Sequence, residues 1–465
     1  MIKDRIMEHY DVLIIGGGPA AITIAKMTGQ LMKTGMIRPE DHSMIYCAMP
    51  YAIEKVLPFE KTLKKDQIVE ETGTVLIRDR ASQVDFSLKE VTCETGLKVS
   101  YKQLVIATGA VPIVPPVPGA DLRGVMTFKT EDDLRKLISL SEKGLSKAVV
   151  IGAGAIGIEL AQAFNHVGVE THLVDMAERV LPSMLDPDMG SEVEEELIRL
   201  GINLHLRSGL VKIEGNEYAE SVILNDGKKI ILDSLDTCSA GGDGPEVKGI
   251  VVFAVGMRPE TELVAGSGIM TGKEGIIVDE NMRTSIPDVY AVGDCVQFKS
   301  GITGDTVPGR LATNAVPMGR VCARNILGEA DGYQGFYNGA ATKIGEFFAG
   351  STGLNEHSAK GSFELITGNS ELTTIFPNMP NTKKVRMKLL ADRNTMKIVG
   401  AQIVSGLPVT DKLDIITLAI QNGLTVSQIR NLSYSSQPYQ SYYPANNLIV
   451  AAADNMMKKL EAVIV

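Results

Sequence analysis

The pattern of apolar and polar residues gives its first clear signal near the start of the chain. In "YDVLIIGGGPAAITIAKMTGQ" a continuous apolar run leads into a glycine turn and then into a segment that begins with small apolar residues. This order is typical of a buried parallel strand, a tight turn and a helix, which together open a βαβ unit. Gly16 can form the turn, Gly18 can leave room for a pyrophosphate, and Ala21 takes the third position, where helix and strand pack closely.

A second copy of this pattern follows in "KAVVIGAGAIGIELAQAFNHVGVETHLVDMAERVLP". Gly152, Gly154 and Gly157 have complete G-x-G-x-x-G spacing, and the next apolar strand ends at Asp175. One such motif is weak evidence, because glycines also form ordinary turns before helices. Two motifs, each between a strand and a helix and about one domain apart, predict two dinucleotide sites with phosphates at the helix N-termini.

Further apolar runs end in glycine turns at "LVIATGAVP", "IVVFAVGMRPETEL" and "VYAVGDC", the last of which contains Gly293 and Asp294. Ligands bind at such strand ends in open parallel sheets, and an acid there can bond a ribose or ribityl hydroxyl. After about residue 335 the runs alternate instead, as in "KKVRMKLLADRNTMKIVGAQIVSG", and an amphipathic helix follows. The sequence thus predicts an α/β protein with two Rossmann-like dinucleotide-binding domains and a C-terminal α+β domain.

Composition narrows the class of protein further. The 465 residues carry a net charge of −10, which argues against nucleic acid as a partner. No apolar run reaches the roughly 18 residues of a membrane span, and the start lacks the features of a signal peptide, so a cytoplasmic location without membrane contact is expected.

The cysteines show neither CxxC pairing nor metal-ligand spacing, which predicts no metal site and no disulfide framework. They are Cys47, Cys93, Cys238, Cys295 and Cys322.

Over essentially its whole length, the chain resembles the pyridine nucleotide-disulfide oxidoreductases. The motifs that carry the resemblance are, in order, "IIGGGPAA", "IATGAVP", "GAGAIGIELA", "AVGMRPETEL" and "VYAVGDC". These flavoproteins bind FAD at the first glycine motif and the GD motif, and NADH or NADPH at the second glycine motif. The resemblance implies a homodimer held by the C-terminal domain. It also implies an FAD-binding domain of residues 1–120 and 285–335, an NAD(P)H-binding domain of residues 121–284 and a dimerisation domain of residues 336–465.

The resemblance assigns contact residues to both cofactors. Those implied for FAD are Gly16, Gly18, Pro19, Ala20, Ala21, Glu40, Thr108, Gly109 and Asp294. Those implied for NAD(P)H are Gly152, Gly154, Ile156, Gly157, Asp175 and Gly256.

Two of these assignments depend on charge. "KTGMIRPEDHS" places Arg38 where the family's ribose-binding acid usually stands, so Glu40, two residues later, is the alternative acid. Asp175 can accept from both ribose hydroxyls and would repel a 2′-phosphate, which favours NADH over NADPH. Arg179 could serve a phosphate instead, or be a simple surface charge.

Cys47 lies in "HSMIYCAMPYAI", just after the first nucleotide signal. Position 52 is an alanine, so the CxxxxC redox pair of many family members is absent, and the last histidine is His357, so their C-terminal His-Glu pair is absent too. The residues alone would also fit a buried apolar thiol. However, the segment has the pattern S-x-x-x-C-x-x-P-Y, formed by Ser43, Cys47, Pro50 and Tyr51. This pattern resembles the signature of coenzyme A-disulfide reductases. The resemblance implies catalytic roles for Cys47 and Ser43.

This resemblance implies an FAD-dependent NAD(P)H:disulfide oxidoreductase with a single redox cysteine. Its substrate would be coenzyme A disulfide or a related small disulfide, persulfide or polysulfide, and Cys47 could carry coenzyme A as a mixed disulfide. Two alternatives stay open. One is an NADH oxidase or peroxidase that uses a Cys47 sulfenic acid, and the other is a non-enzymatic flavin redox sensor.

The resemblance also implies two tyrosines, donated by the partner subunit, that act near the cysteine. In "LSYSSQPYQSYYPANN" the best match to one of them is Tyr439, with Tyr434, Tyr442 and Tyr443 as competitors. A tyrosine can act there as a general acid for the leaving thiol. The other position holds Phe376, which lacks the hydroxyl. Aromatic packing at a subunit interface is the alternative explanation for this tyrosine cluster.

Overall fold

The computed structural model describes residues 8–232 and 247–464, so Cys238 lies outside the described residues. The contacts divide the chain into two units. The first comprises the chain up to Met49, Leu57–Ile113 and Gly256–Phe336. The second comprises Pro50–Val56, Val114–Val255 and the chain from Tyr337 onward.

A parallel sheet extended by an antiparallel hairpin is the centre of the first unit. The elements of this stretch are β1 (Glu8–Ile15), α1 (Pro19–Thr28), β2 (Thr34–Ile37), β3 (Ser43–Met44), α2 (Met49–Ile53), β4 (Leu63–Lys64), α3 (Gln67–Glu70), β5 (Val75–Ile77), β6 (Ala81–Asp85), β7 (Glu90–Cys93), β8 (Lys98–Ile106) and β9 (Ala110–Pro112). The strand order of the sheet is β5-β2-β1-β8-β7-β6, and β5, β2, β1 and β8 run parallel. β1 starts with polar residues and is apolar and buried from Val12 to Ile15, as expected of a central parallel strand.

The second unit contains its own parallel sheet. The elements are β10 (Val125–Thr127), α4 (Glu131–Glu142), β11 (Lys147–Ile151), α5 (Ala155–His166), β12 (Glu170–Val174), α6 (Pro187–Arg199), β13 (Asn203–His205), β14 (Leu210–Glu214), β15 (Ser221–Leu224), β16 (Lys229–Ile231) and β17 (Gly249–Phe253). The strand order of the parallel sheet is β10-β17-β11-β12-β13, and a small antiparallel sheet, β14-β15-β16, accompanies it. This is the second Rossmann-like arrangement that the two glycine motifs predicted.

The chain then returns to the first unit. It forms β18 (Met257–Pro259), β19 (Thr271–Gly272), β20 (Gly275–Ile276), β21 (Val289–Ala291), β22 (Phe298–Lys299), β23 (Thr306–Val307) and α7 (Ala312–Ile326). β21 joins the sheet parallel to the last three residues of β8, and β18 pairs with β9. The sequence assigned residues up to 284 to the NAD(P)H-binding domain, whereas the contacts group Gly256–Phe336 with the first unit.

The C-terminal part of the second unit is an antiparallel sheet with helices. Its elements are β24 (Ala340–Ile344), β25 (Phe347–Gly353), β26 (Leu365–Thr373), β27 (Lys384–Asp392), β28 (Ile398–Ser405), α8 (Thr410–Gln421), α9 (Val426–Arg430) and α10 (Leu448–Ile464). The strand order is β24-β25-β28-β27-β26. With this sheet and its helices, the predicted fold class is confirmed. Among the residues that the structure describes, no helix is both long and apolar enough to cross a membrane.

Candidate active site

The first glycine turn joins β1 to α1 in a conformation that requires glycine. Gly16 has a φ of +121°, and a Cβ there would overlap the carbonyl oxygen of Ala107 at the end of β8. Gly18 is the N-cap of α1, has open space where a Cβ would lie, and is followed by Pro19 in the first turn. The backbone N–H groups at this helix N-terminus therefore face room for a phosphate, as the pyrophosphate of FAD requires.

Two other strand ends lie at the same edge of this sheet, because β1, β8 and β21 run parallel. Asp294 follows β21 in the 3-10 helix Gly293–Cys295 and is half-buried. A Cβ on Gly293 would lie 3.5 Å from the Cβ of Ala20, so this turn packs against the start of α1. Thr108 follows β8, and its hydroxyl donates to the Glu260 carbonyl at 2.6 Å.

After β2 comes a buried arginine, at the position where the resemblance implied a ribose-binding acid. The Arg38 side chain is 2% exposed and donates to the Ser43 hydroxyl and to the Asp66 carboxylate. Glu40 is exposed at the surface. Partial burial, followed by the charges of Glu40 and Asp294, raises the pKa of Tyr46.

Ser43 connects the cysteine segment to the first glycine turn. Its hydroxyl donates to the Gly17 carbonyl at 2.8 Å and accepts from Arg38, and the residue is buried. In these contacts the hydroxyl fixes the loop that leads to Cys47. The contacts of Ser43 in the structure therefore support the loop that carries the predicted nucleophile.

Cys47 lies in the 3-10 helix Tyr46–Ala48 and is exposed. The other cysteines of the described chain are buried: Cys93, Cys295 and Cys322. Burial raises the pKa of Cys93 to about 11 and also raises the pKa values of the other two buried thiols. Of the four described thiols, Cys47 alone is exposed to solvent, as a reactive thiol must be.

Strand pairing places Lys64 beside the segment that leads to Cys47, a position that the sequence did not reveal. β3 pairs with β4 so that Ser43 is opposite Lys64, and the Ile45 N–H donates to the Thr62 carbonyl at 2.7 Å. Burial lowers the pKa of the Lys64 ammonium, while the Cys47 charge acts in the opposite direction. The antiparallel pairing of β3 and β4 thus couples the charges of residues that are 17 positions apart in the chain.

The second glycine motif repeats the geometry of the first in the second unit. Gly152 has a φ of +113°, and a Cβ there would come too close to the Ala254 carbonyl. A Cβ on Gly157 would overlap the Gly152 carbonyl, which explains the third glycine of the motif. Gly154 caps α5 with open space beside it, and Ile156 is exposed in the first turn of the helix. The geometry again fits a nucleotide phosphate.

Asp175 follows β12 and supports this turn. Its two carboxylate oxygens accept from the Ala153 N–H at 2.6 Å and from the Ala177 N–H at 2.7 Å. Arg179 is paired with Glu194 at 2.9 Å, so its charge is already balanced within the unit. Gly256, the remaining predicted NAD(P)H contact, belongs to the first unit, where its carbonyl accepts from the Ile113 N–H.

The C-terminal tyrosines form an aromatic surface on the second unit. Tyr439 is 62% exposed, and the preceding Pro438 carbonyl accepts from the Phe376 N–H at 3.2 Å. The rings of Phe376 and Tyr443 meet edge-on with centroids 5.4 Å apart. Beside them lies a cavity of about 330 Å³ lined by Glu371, Leu372, Thr373, Pro377, Lys384, Tyr442, Tyr443 and Asn446.

Comparison with known proteins identifies the family. The model of the pyridine nucleotide-disulphide oxidoreductases matches residues 10–319, and that of their dimerisation domain matches residues 340–441. The chain belongs to this family. It is therefore an oxidoreductase that depends on FAD and NAD(P)H, as its sequence predicted, and its dimerisation domain supports a homodimer.

Individual relatives are named for the two enzymatic activities that the sequence suggested. An NADH oxidase of Methanocaldococcus jannaschii is 33% identical over 96% of this chain and 99% of its own length. A CoA-dependent NAD(P)H sulfur oxidoreductase of Pyrococcus furiosus is 30% identical over 91% of this chain and 94% of its own. The structure of an NAD-dependent persulfide reductase from A. fulgidus superimposes with a TM-score of 0.88 at 29% identity, covering 97% of this chain and 84% of the other.

Proposed function

We propose that this protein reduces coenzyme A disulfide, or a related small persulfide or polysulfide, at Cys47 with electrons from NADH. The observation that carries the proposal is the exposed Cys47 in a loop that Ser43 ties to the first glycine turn. Position 52 is an alanine, so the second sulfur must come from a substrate. The named sulfur oxidoreductase and persulfide reductase relatives support the same substrate class.

The chemistry begins with the Cys47 thiolate. It attacks one sulfur of R–S–S–R, a new S–S bond joins Cys47 to one R group, and the other leaves as a thiolate that takes up a proton. Bound FAD supplies the route by which the two electrons of NADH reach this mixed disulfide. Their arrival, with a second proton, releases the second thiol and restores the Cys47 thiolate.

The residues present fit both cofactors. The turn at Gly16 and Gly18 would hold the FAD pyrophosphate, and Asp294 would accept from a ribityl hydroxyl. Because the Arg38 guanidinium is already engaged, we assign the adenosine ribose to the exposed Glu40. Gly152, Gly154, Gly157 and Asp175 would hold NADH, and the pairing of Arg179 with Glu194 supports NADH over NADPH.

The substrate side of the site is proposed to come from two subunits. Lys64 would favour the thiolate form of Cys47 through its charge. Tyr439 of the partner subunit would donate the proton to the leaving thiolate, which is consistent with its exposed side chain on the dimerisation domain.

The decisive variant is Cys47→Ser. We expect it to keep its flavin absorbance, because the glycine turn and Asp294 are untouched, and to lose NADH consumption with coenzyme A disulfide. Cys93→Ala is the matched control, since it removes a buried thiol outside this loop and should retain turnover. A Cys47→Ser enzyme with wild-type turnover would refute the mechanism.

An NADH oxidase is the second candidate, because the M. jannaschii relative carries that name. Its Cys47 would pass through a sulfenic acid, with oxygen or peroxide as the acceptor. Steady-state NADH consumption in oxygenated buffer without any disulfide, together with trapping of the sulfenic acid by dimedone, tests it. A redox sensor would show almost no turnover with either acceptor.

A further inference from the structure

We propose that Tyr443 is a second proton donor in this reaction, and that its hydroxyl serves in place of the one that Phe376 lacks. The inference rests on the proposed function, because it concerns the proton that each released thiolate needs. Two thiolates leave in each turnover, and Tyr439 alone would have to be reprotonated between them.

The contacts of Phe376 point to Tyr443. Their rings meet edge-on at 5.4 Å, and the Phe376 N–H bonds to the carbonyl of the residue just before Tyr439. Phe376 therefore connects Tyr439 and Tyr443 within one surface. Tyr443 is 53% exposed and lines the 330 Å³ cavity, so its ring borders a space that a substrate can enter.

The neighbouring tyrosines are less suited to this role. The Tyr434 hydroxyl already donates to the Pro444 carbonyl at 2.8 Å. Tyr442 is only 9% exposed, and burial raises the pKa of its phenol, which makes it a poorer acid. Tyr443 combines exposure, contact with Phe376 and a place at the cavity.

The step balances without any additional reactant. The Tyr443 O–H transfers its proton to the sulfur of the departing thiolate, which leaves as a neutral thiol. The resulting phenolate recovers a proton from water, and no electrons are exchanged at the tyrosine. Because the thiol is neutral when it leaves, it attacks the mixed disulfide in the reverse reaction more slowly than a thiolate would.

The test compares Tyr443→Phe with the double variant Phe376→Tyr/Tyr443→Phe. We expect the single variant to release coenzyme A thiol at least about tenfold more slowly in a single turnover. Reduction of the oxidised enzyme by NADH should keep its rate. The double variant should recover most of the loss, because it returns a hydroxyl to the adjoining ring. Tyr434→Phe, whose hydroxyl is bonded to backbone, should release thiol at the wild-type rate.

The outcomes separate this proposal from the proposed function. Wild-type thiol release by Tyr443→Phe, or a double variant as slow as the single one, would overturn the role of Tyr443. So would equal slowing of thiol release and of reduction by NADH, which would indicate a packing defect. The proposed function would still stand if Cys47→Ser were inactive in the same assay.

Discussion

At the scale of single residues, the reactivity of Cys47 depends on neighbours that are distant in sequence. Ser43 fixes its loop to Gly17, and the pairing of β3 with β4 places Lys64 opposite Ser43. The charge coupling between Lys64 and Cys47 is the electrostatic feature of this loop that a variant can test directly.

Replacing Lys64 with methionine should slow alkylation of Cys47 by iodoacetamide at pH 7 by about threefold. This corresponds to the roughly 0.7 kcal/mol expected of two partly screened charges. The thiolate loses a favourable cation, while the side-chain length is kept. Lys61→Met, which removes an exposed lysine from the same segment, is the control. Equal alkylation rates for both variants and the wild type would remove Lys64 from the site.

Asp175→Ala should raise the KM for NADH by about tenfold and change kcat much less, as loss of uniform binding does. The carboxylate would accept from the ribose while it also holds the Ala153 N–H. Asp175→Asn keeps one acceptor oxygen and should give an intermediate KM. An unchanged KM in steady-state kinetics would show that Asp175 only supports the turn.

The sequence predicted the glycine positions well because a missing Cβ is a local requirement. Gly16, Gly152 and Gly157 all lie where a side chain would overlap a carbonyl. It could not predict Lys64, since no pattern around that residue reveals the hairpin pairing. The burial of Arg38 was equally hidden, because it depends on Asp66, 28 positions later.

At the scale of elements, strands β12 and β13 carry a stacked histidine pair in the second unit. His172 Nδ1 lies 3.0 Å from His205 Nε2, and the Lys228 ammonium lies 3.1 Å from His205 Nδ1. Burial, and then the charge of Lys228, lowers the pKa of His205 to about 4. Burial also lowers the pKa of His172, against the opposing effect of Glu170. The pair is therefore neutral at pH 7 in the folded chain.

This pair should make stability depend on pH. An unfolded histidine binds a proton below about pH 6.5, whereas folded His205 binds one only near pH 4. Between these values the unfolded chain holds more protons, so the free energy of unfolding falls as the pH falls. His205→Gln should reduce that loss between pH 7 and pH 4.5 by on the order of 2 kcal/mol. Urea unfolding across this range measures it.

His357→Gln is the control for this experiment, because His357 is exposed. Its pH dependence should match the wild type. If His205→Gln lost stability with acid as steeply as the wild type, the histidine pair would not be the origin of the effect.

Elements were predicted most reliably where periodicity is strong. The apolar runs of β1 and β11 and the helices after their glycine turns agree with the structure. The C-terminal boundary of the second dinucleotide domain was harder to predict from the sequence. β18 is only three residues long, and it pairs with β9, about 145 positions earlier. Such long-range pairing leaves no periodic signal.

At the scale of the whole molecule, the proposed site needs two chains. Cys47 would come from one subunit and Tyr439 from its partner. An isologous dimer would then contain two equivalent sites, each built from both chains. Only an experiment on mixed dimers can separate this arrangement from a site within one chain.

Mixed dimers of Cys47→Ser and Tyr439→Phe chains should regain about half of the wild-type turnover, because one of their two sites combines an intact cysteine with an intact tyrosine. Differently tagged chains allow the mixed species to be purified after exchange of subunits. Cys47→Ser mixed with Cys47→Ser/Tyr439→Phe is the control and should stay inactive. Mixed dimers no more active than their parents would place both residues in one chain.

The pairing of β21 with β8 has a consequence for synthesis of the chain. The last three residues of β8, Leu104–Ile106, are buried and apolar, but their partner Val289–Ala291 follows some 185 residues later. While the ribosome makes the intervening sequence, this apolar strand edge has no native neighbour. A nascent or truncated chain that ends before Val289 therefore presents an open edge suited to aggregation or chaperone capture.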